Sequence, residues 1–166
     1  MAQAEILFQL ASLPATESAF PPSTKVGSNN LTMAVAFDDT TQEYRNGVFK
    51  VPSDIDTAGT VTLRVAGRSA TGAASKTVEF DFDHYARANG EASDGSTPYT
   101  TEASGAKSVD ATQNDIDIIT WTETVSNLGW SADDEVFFRI SRDTGANDDL
   151  VGDYYGFSFT VIIPLA

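Results

Sequence analysis

Two strand-length runs near the end of the chain do most to limit what it can fold into. In DEVFFRISRDTGANDDLVGDYYGFSFTVIIP, residues 134–164, Val136, Phe138 and Ile140 alternate with Phe137, Arg139 and Ser141. That spacing predicts a strand over 134–142 with one apolar and one mixed face. A second strand over 154–163 puts Phe157, Phe159, Val161 and Ile163 on one side and stops at Pro164, which has no N–H for a ladder. The loop between them is crowded with Gly, Asn and Asp, the turn chemistry of a hairpin-like unit. No catalytic motif lies here or elsewhere in the chain.

The same period runs upstream. Leu31, Met33, Val35 and Phe37 alternate with Thr32, Ala34 and Ala36; residues 44–51 form a strand around Val48, Phe49 and Val51; Val61, Leu63 and Val65 alternate with Thr62 and Arg64. Residues 77–85 are the most regular: Val78, Phe80, Phe82 and His84 face a core, while Thr77, Glu79, Asp81, Asp83 and Tyr85 face water or a partner. In residues 114–125, Ile119 and Trp121 oppose Ile116, Ile118, Thr120, Thr122 and Thr124. Residues 86–111, rich in Gly, Ser, Thr, Asn and Ala, read as one long loop, functional or mobile.

Residues 1–25 carry EILFQL at 5–10 followed by Pro14, Pro21 and Pro22, and read as an N-terminal arm. Its Ile6, Leu7 and Phe8 need cover, from the chain's own sheet or from a neighbouring subunit. Seven strands and one more in the arm, with turn-rich connections and no helical period beyond a turn or two, predict an all-β chain. The expected architecture is a single antiparallel β-sandwich over residues 26–166, a jelly roll of about eight strands. An immunoglobulin-like sandwich is the alternative, without its Cys…Trp…Cys signature.

Composition narrows the function classes. The 166 residues, 41% hydrophobic, suit one core. Ten Lys and Arg against 24 Asp and Glu, a formal charge of −14, leave no basic face for phosphates, so no nucleic-acid partner is expected. No cysteine is present, which removes disulfides and thiolate metal sites. The first twenty residues lack the basic and long apolar regions of a secretory signal, and no run approaches the roughly 18 apolar residues of a membrane span. The expectation is a chain soluble as made, with no membrane partner.

A single histidine, His84, excludes a His-based triad or a multi-histidine metal site and reads as a half-buried strand-end residue. Asp54, Asp56, Asp81, Asp83, Asp143, Asn147, Asp148, Asp149 and Asp153 raise calcium as a question, but DTGANDDLVGD does not follow the EF-hand spacing, and turn chemistry with solvation is the expected role. No catalytic residue, cofactor or metal is therefore assigned. Trp121, Trp130, Tyr154 or Tyr155 on a concave face would suit stacking against a sugar ring, the carbohydrate-binding alternative.

Asp134, Val136, Phe138, Arg139, Ile140, Arg142 and Asp143, with residues 148–153 and the strand over 154–163, resemble a pattern found in jelly-roll virion proteins of tailed phages, of the capsid decoration, head-fibre or tail-fibre type. Val48 to Pro52 followed by Asp54 resembles the extended-strand, proline, acid step of the same proteins, and the likeness covers about residues 43–163. It implies a non-enzymatic structural protein on the capsid exterior, a homotrimer that binds the major capsid protein and clamps the lattice. Ile6, Leu7, Phe8 and Leu10 are then the candidate capsid or subunit contacts. A carbohydrate-binding module or a receptor-binding fibre tip is the alternative role.

Overall fold

Alternation becomes architecture in two antiparallel sheets packed face to face. The computed structural model describes residues 2–15, 21–26, 32–71, 75–92 and 98–166. Its strands are β1 (Gln3–Gln9), β2 (Ser23–Val26), β3 (Thr32–Phe37), β4 (Tyr44–Lys50), β5 (Thr60–Ser69), β6 (Thr77–Arg87), β7 (Thr100–Ala103), β8 (Lys107–Ser108), β9 (Asp117–Thr124), β10 (Glu135–Asp143) and β11 (Tyr154–Pro164). The first sheet runs β2-β3-β11-β5-β9, with β1 also on β11; the second runs β4-β10-β6-β7, with β8 also on β6. From β3 onward the chain passes back and forth between the sheets, the interleaving that makes a β-sandwich a jelly roll.

The faces are those the alternation predicts. Val61, Leu63 and Val65 of β5, Phe80 and Phe82 of β6, Val136, Phe138 and Ile140 of β10, and Phe159, Val161 and Ile163 of β11 are essentially inaccessible and form one core. At its centre Phe138 sits within 6 Å of Phe8, Phe49, Phe82 and Phe159, ring centroid to centroid. Gly47 on β4 has no side chain because a Cβ there would run into the Phe138 ring. A single-turn helix, α1 (Val125–Leu128), starts where Asn127 N donates to Thr124 Oγ1 at 3.2 Å and ends at Gly129, whose φ of 66° suits glycine. Among the described residues no helix is long and apolar enough to cross a membrane.

Four expectations change. The runs at 134–142 and 154–163 are not a hairpin: β10 pairs with β4 and β6, β11 with β1, β3 and β5, so their loop crosses between sheets. Phe157 does not share the core face of Phe159, because a bulge between Gly156 and Ser158 adds a residue and resets the alternation. At that bulge Gly156 admits Leu10 Cδ1, which lies 2.8 Å from where a Cβ would stand. The polar stretch 86–111 is not all loop, since it contributes β7 and β8; residues 93–97 within it lie outside the described residues. Finally, His84 is fully buried, 2% exposed, and its Nδ1 accepts from Trp130 Nε1 at 3.3 Å.

Residues 3–9, read above as part of an arm, pair with β11 along seven residues. Arg45 ties the following segment to β4, donating to Leu13 O at 2.7 Å, Pro21 O at 2.5 Å and Ser23 Oγ at 3.0 Å.

Candidate functional site

The outward face of the β4-β10-β6-β7 sheet follows directly from strand register. Cross-strand partners fall into rows about 7 Å apart along the strands, twice the rise per residue. Lys50, Glu135 and Arg87 make a charged row at one end; Val48, Phe137 and Tyr85 make the next. Asn46, Arg139, Asp83 and Thr101 follow, then Tyr44, Ser141, Asp81 and Ala103, and last Asp143 with Glu79. Charged, aromatic, mixed and acidic residues are therefore sorted into bands across a surface that is three strand spacings, about 14 Å, wide.

Its aromatic band is continuous. Tyr85 and Phe137 stack at 5.1 Å with planes 13° apart, and Tyr99, brought beside them by β7, meets Tyr85 edge-on at 5.2 Å. Tyr99 is 37% exposed. Depressions of about 570 and 430 Å³ flank this band: one lined by Lys50, Arg87, Glu91 and Glu135, the other by Phe8, Leu13, Pro14 and Val48, with Phe137 in the wall of both.

In the middle band Arg139 Nε donates to Asp83 Oδ2 at 2.6 Å, and Thr101 Oγ1 donates to Asp83 Oδ1 at 2.5 Å. Both oxygens of Asp83 are thus engaged. The guanidinium lies 4.1 Å from the Tyr44 ring centre and 4.6 Å from that of Tyr99, close enough for both rings to hold it by cation–π attraction. A guanidinium carries five N–H donors. Among the described residues only Nε has a hydrogen-bond partner, so the terminal nitrogens of Arg139 are fixed in direction and unused.

Next to it, Asp81 Oδ2 accepts from Gln42 Nε2 at 2.9 Å, and that nitrogen also donates to Ser141 Oγ at 3.2 Å. Burial, then the charges of Asp143, Asp83 and Glu79, push the Asp81 carboxyl up to about 6. Glu79, Asp81 and Asp83 are all at most 9% exposed although they sit on the outer side of the sheet. Carboxylates are costly to desolvate, so acids this deeply covered by their neighbours are unusual for a merely solvated face.

The acidic loops behave otherwise. Asp148 takes both Arg142 Nε and Nη2, at 2.6 and 2.7 Å; Asp149 Oδ1 accepts from Thr77 N at 2.7 Å; Asp143 Oδ1 accepts from Gly145 N and Asp56 Oδ1 from Ala58 N, each at 3.0 Å. Among the described residues, no group of three or more His, Cys, Asp or Glu is placed to hold a metal ion.

The aromatics singled out from the sequence are elsewhere. Trp121, Trp130 and Tyr154 are 5%, 3% and 0% exposed and belong to the core, while Tyr155 lies on the outside of the other sheet under Arg68. The outward aromatics are instead Tyr44, Tyr85, Tyr99 and Phe137. Their signal was the outward half of each alternation, in which Phe137 and Tyr85 are apolar residues at positions that face away from the core. Of the residues expected at capsid or subunit contacts, Leu10 is buried at 0%, Ile6 and Phe8 pack against the core, and Leu7 is 57% exposed on the outside of β1.

No protein-family model matches this chain. No curated protein matches it either. Among solved structures, "CBM35 from Cellvibrio japonicus Abf62" aligns over 98% of this chain and 99% of its own, with a TM-score of 0.50 and 8% identity. The "xylan-binding module CBM15" aligns over 99% and 100%, at 0.44 and 17%. A chain of infectious bursal disease virus, Gx strain, aligns over 98% of this chain and 32% of its own, at 0.40 and 6%. What this chain shares with the first of these is its fold, the jelly-roll β-sandwich.

Proposed function

We propose that this protein is a non-catalytic saccharide-binding module and that the outward face of the β4-β10-β6-β7 sheet is its binding surface. The observation that carries the reading is Arg139, pinned by Asp83 between the rings of Tyr44 and Tyr99, beside the stacked Tyr85 and Phe137. A pyranose ring has an apolar C–H face and a rim of hydroxyls. Flat rings bury the former, and fixed, unsatisfied donors and acceptors meet the latter. The fold shared with a carbohydrate-binding module is consistent with this use. Affinity electrophoresis against immobilised polysaccharides tests it: retardation by at least one polysaccharide, lost on Tyr44→Ala plus Tyr99→Ala in a variant that keeps its far-ultraviolet spectrum, supports the site. Release of new reducing ends during the assay overturns the non-catalytic part of the reading.

A second reading, a virion component that decorates a capsid as a homotrimer on the major capsid protein, draws support from Leu7. This residue is 57% exposed in the row Leu7, Thr160, Arg64, Thr120, on the sheet opposite the saccharide face. An outward leucine there suits a contact with a second copy of this chain. The two readings use opposite faces and are compatible. Light scattering that gives a trimer, reduced to a monomer by Leu7→Asp, supports assembly; a monomer at high concentration sinks it.

A further inference from the structure

Resting on the saccharide reading above, we infer that the ligand carries no acid group where it meets this face and is gripped through two neighbouring hydroxyls, one accepting from Arg139 and one donating to Asp81. The donors come first. Asp83 and the two tyrosine rings hold the Arg139 guanidinium in one plane, and its terminal nitrogens find no acceptor among the described residues. An acceptor stands one row away: Asp81 Oδ2 is taken by Gln42, while Oδ1 has no partner among the described residues. Adjacent rows lie about 7 Å apart at the backbone, a spacing that a pair of ring hydroxyls can bridge.

Arginine by itself also suits a carboxylate, the usual partner of its fork. Here the surroundings decide against one. Glu79, Asp81 and Asp143 come from the same face with no cation bonded to their side chains among the described residues, and Asp83 already compensates Arg139. Burial first, and then the charges of Asp143, Asp83 and Glu79, raise the Asp81 carboxyl, in keeping with that crowding. A uronate brought to Arg139 joins four carboxylates beside a single guanidinium, whereas a hydroxyl brings no charge and satisfies the same N–H groups.

Calorimetric titration of the full chain at pH 7.5 with xylohexaose, cellohexaose, mannohexaose and trigalacturonate decides the matter. The expected result is binding of at least one neutral hexaose, with trigalacturonate about tenfold weaker or worse. Arg139→Ala is expected to weaken the neutral ligand about tenfold, and Arg139→Lys not to restore it, because the positioned fork is lost. Asp81→Ala removes the proposed acceptor together with its charge, so it is expected to weaken the neutral ligand about fivefold and to narrow the gap to trigalacturonate. Trigalacturonate binding more tightly than every neutral hexaose, and lost in Arg139→Ala, overturns the ligand class while leaving the site in place. No binding by any of the four, or binding indifferent to both Arg139 variants in folded protein, overturns the saccharide reading itself.

Discussion

β10 carries two arginines three residues apart that face opposite sides of the sheet, each bonded to an aspartate, and the two pairs have little else in common. Arg142, on the core side, is 1% exposed and Asp148 2%. All five of its N–H groups have acceptors: two go to Asp148, and the others reach Gly152 O at 2.7 Å, Phe37 O at 3.4 Å and Leu150 O. It pins the loop that carries the chain from β10 across to β11. Arg139, on the outer side, has among the described residues a single hydrogen-bond partner and two rings to hold it still. Saturation separates the two: Arg142 has nothing left to offer a ligand, whereas Arg139 is held still with its terminal nitrogens unpaired among the described residues.

Substitution separates the two most sharply. Arg142→Ala leaves Asp148 buried without its counter-charge and three carbonyls unpaired, and is expected to lower unfolding free energy by about 3–5 kcal/mol. Arg139→Ala, at a pair whose side chains are 29% and 5% exposed, leaves Thr101 still on Asp83 and is expected to lower it by about 1–2 kcal/mol. Urea denaturation of both gives the ratio; equal losses break the comparison and make Arg139 structural.

pH sharpens it next, through the carboxyl beside Arg139. Asp81, raised from 3.8 to about 6 by burial, binds its proton more tightly folded than unfolded. Its contribution to stability therefore grows as pH falls from about 6 to about 4. His84, lowered from 6.5 to about 4 by burial, does the reverse: the unfolded chain takes that proton first, and stability falls over nearly the same interval. The two slopes oppose each other in the native protein. Asp81→Asn removes one of them, so its melting temperature is expected to drop more steeply than that of the native chain between pH 6.5 and 4, and to exceed it at pH 7.5 by an amount on the order of 1–2 kcal/mol in stability. Parallel melting curves across that range refute the assignment.

Tyr44→Ala and Tyr99→Ala free the guanidinium without touching its ion pair. Each is expected to lower stability by about 1 kcal/mol and saccharide affinity severalfold. An affinity change from only one of the two locates the ligand on that side of Arg139. The smallest effect belongs to Lys50, paired with Asp133 at 2.7 Å where both side chains are more than half exposed. Lys50→Ala is expected to leave the melting temperature unchanged in 0.15 M salt.

Much of this was legible in the alternation of single strands. TVEFDFDHY already divides into Phe80 and Phe82 inside and Asp81, Asp83 and Tyr85 outside, and VFFRIS places Phe137 and Arg139 on the same side as each other. Pairing was not legible, because register depends on partners far away in sequence. Nothing in β10 and β11 says that they belong to different sheets, since a Gly-, Asn- and Asp-rich loop serves a crossover as well as a hairpin. Tyr99 lay in a stretch too polar to read as a strand; it reaches the site because Thr101 finds Asp83. Arg142 continues the core parity of Val136, Phe138 and Ile140, but a charged residue there reads as a strand end until its five acceptors are seen.

β11 has one more consequence, for the order in which the molecule comes together. One edge of this strand is shared by β1 and β3, the other belongs to β5, and every one of those partners precedes it in the chain. The pairing of Gln3 with Pro164 closes a loop spanning almost the whole sequence, the kind of contact that makes β-sandwiches fold in milliseconds to seconds rather than microseconds. Until residues 154–164 are in place, the first sheet exists as separate pieces with open edges, the state in which strands of neighbouring chains add to one another. The six-stranded sheet is a zip closed from its far end, and yield in expression will depend on how quickly β11 finds its slot.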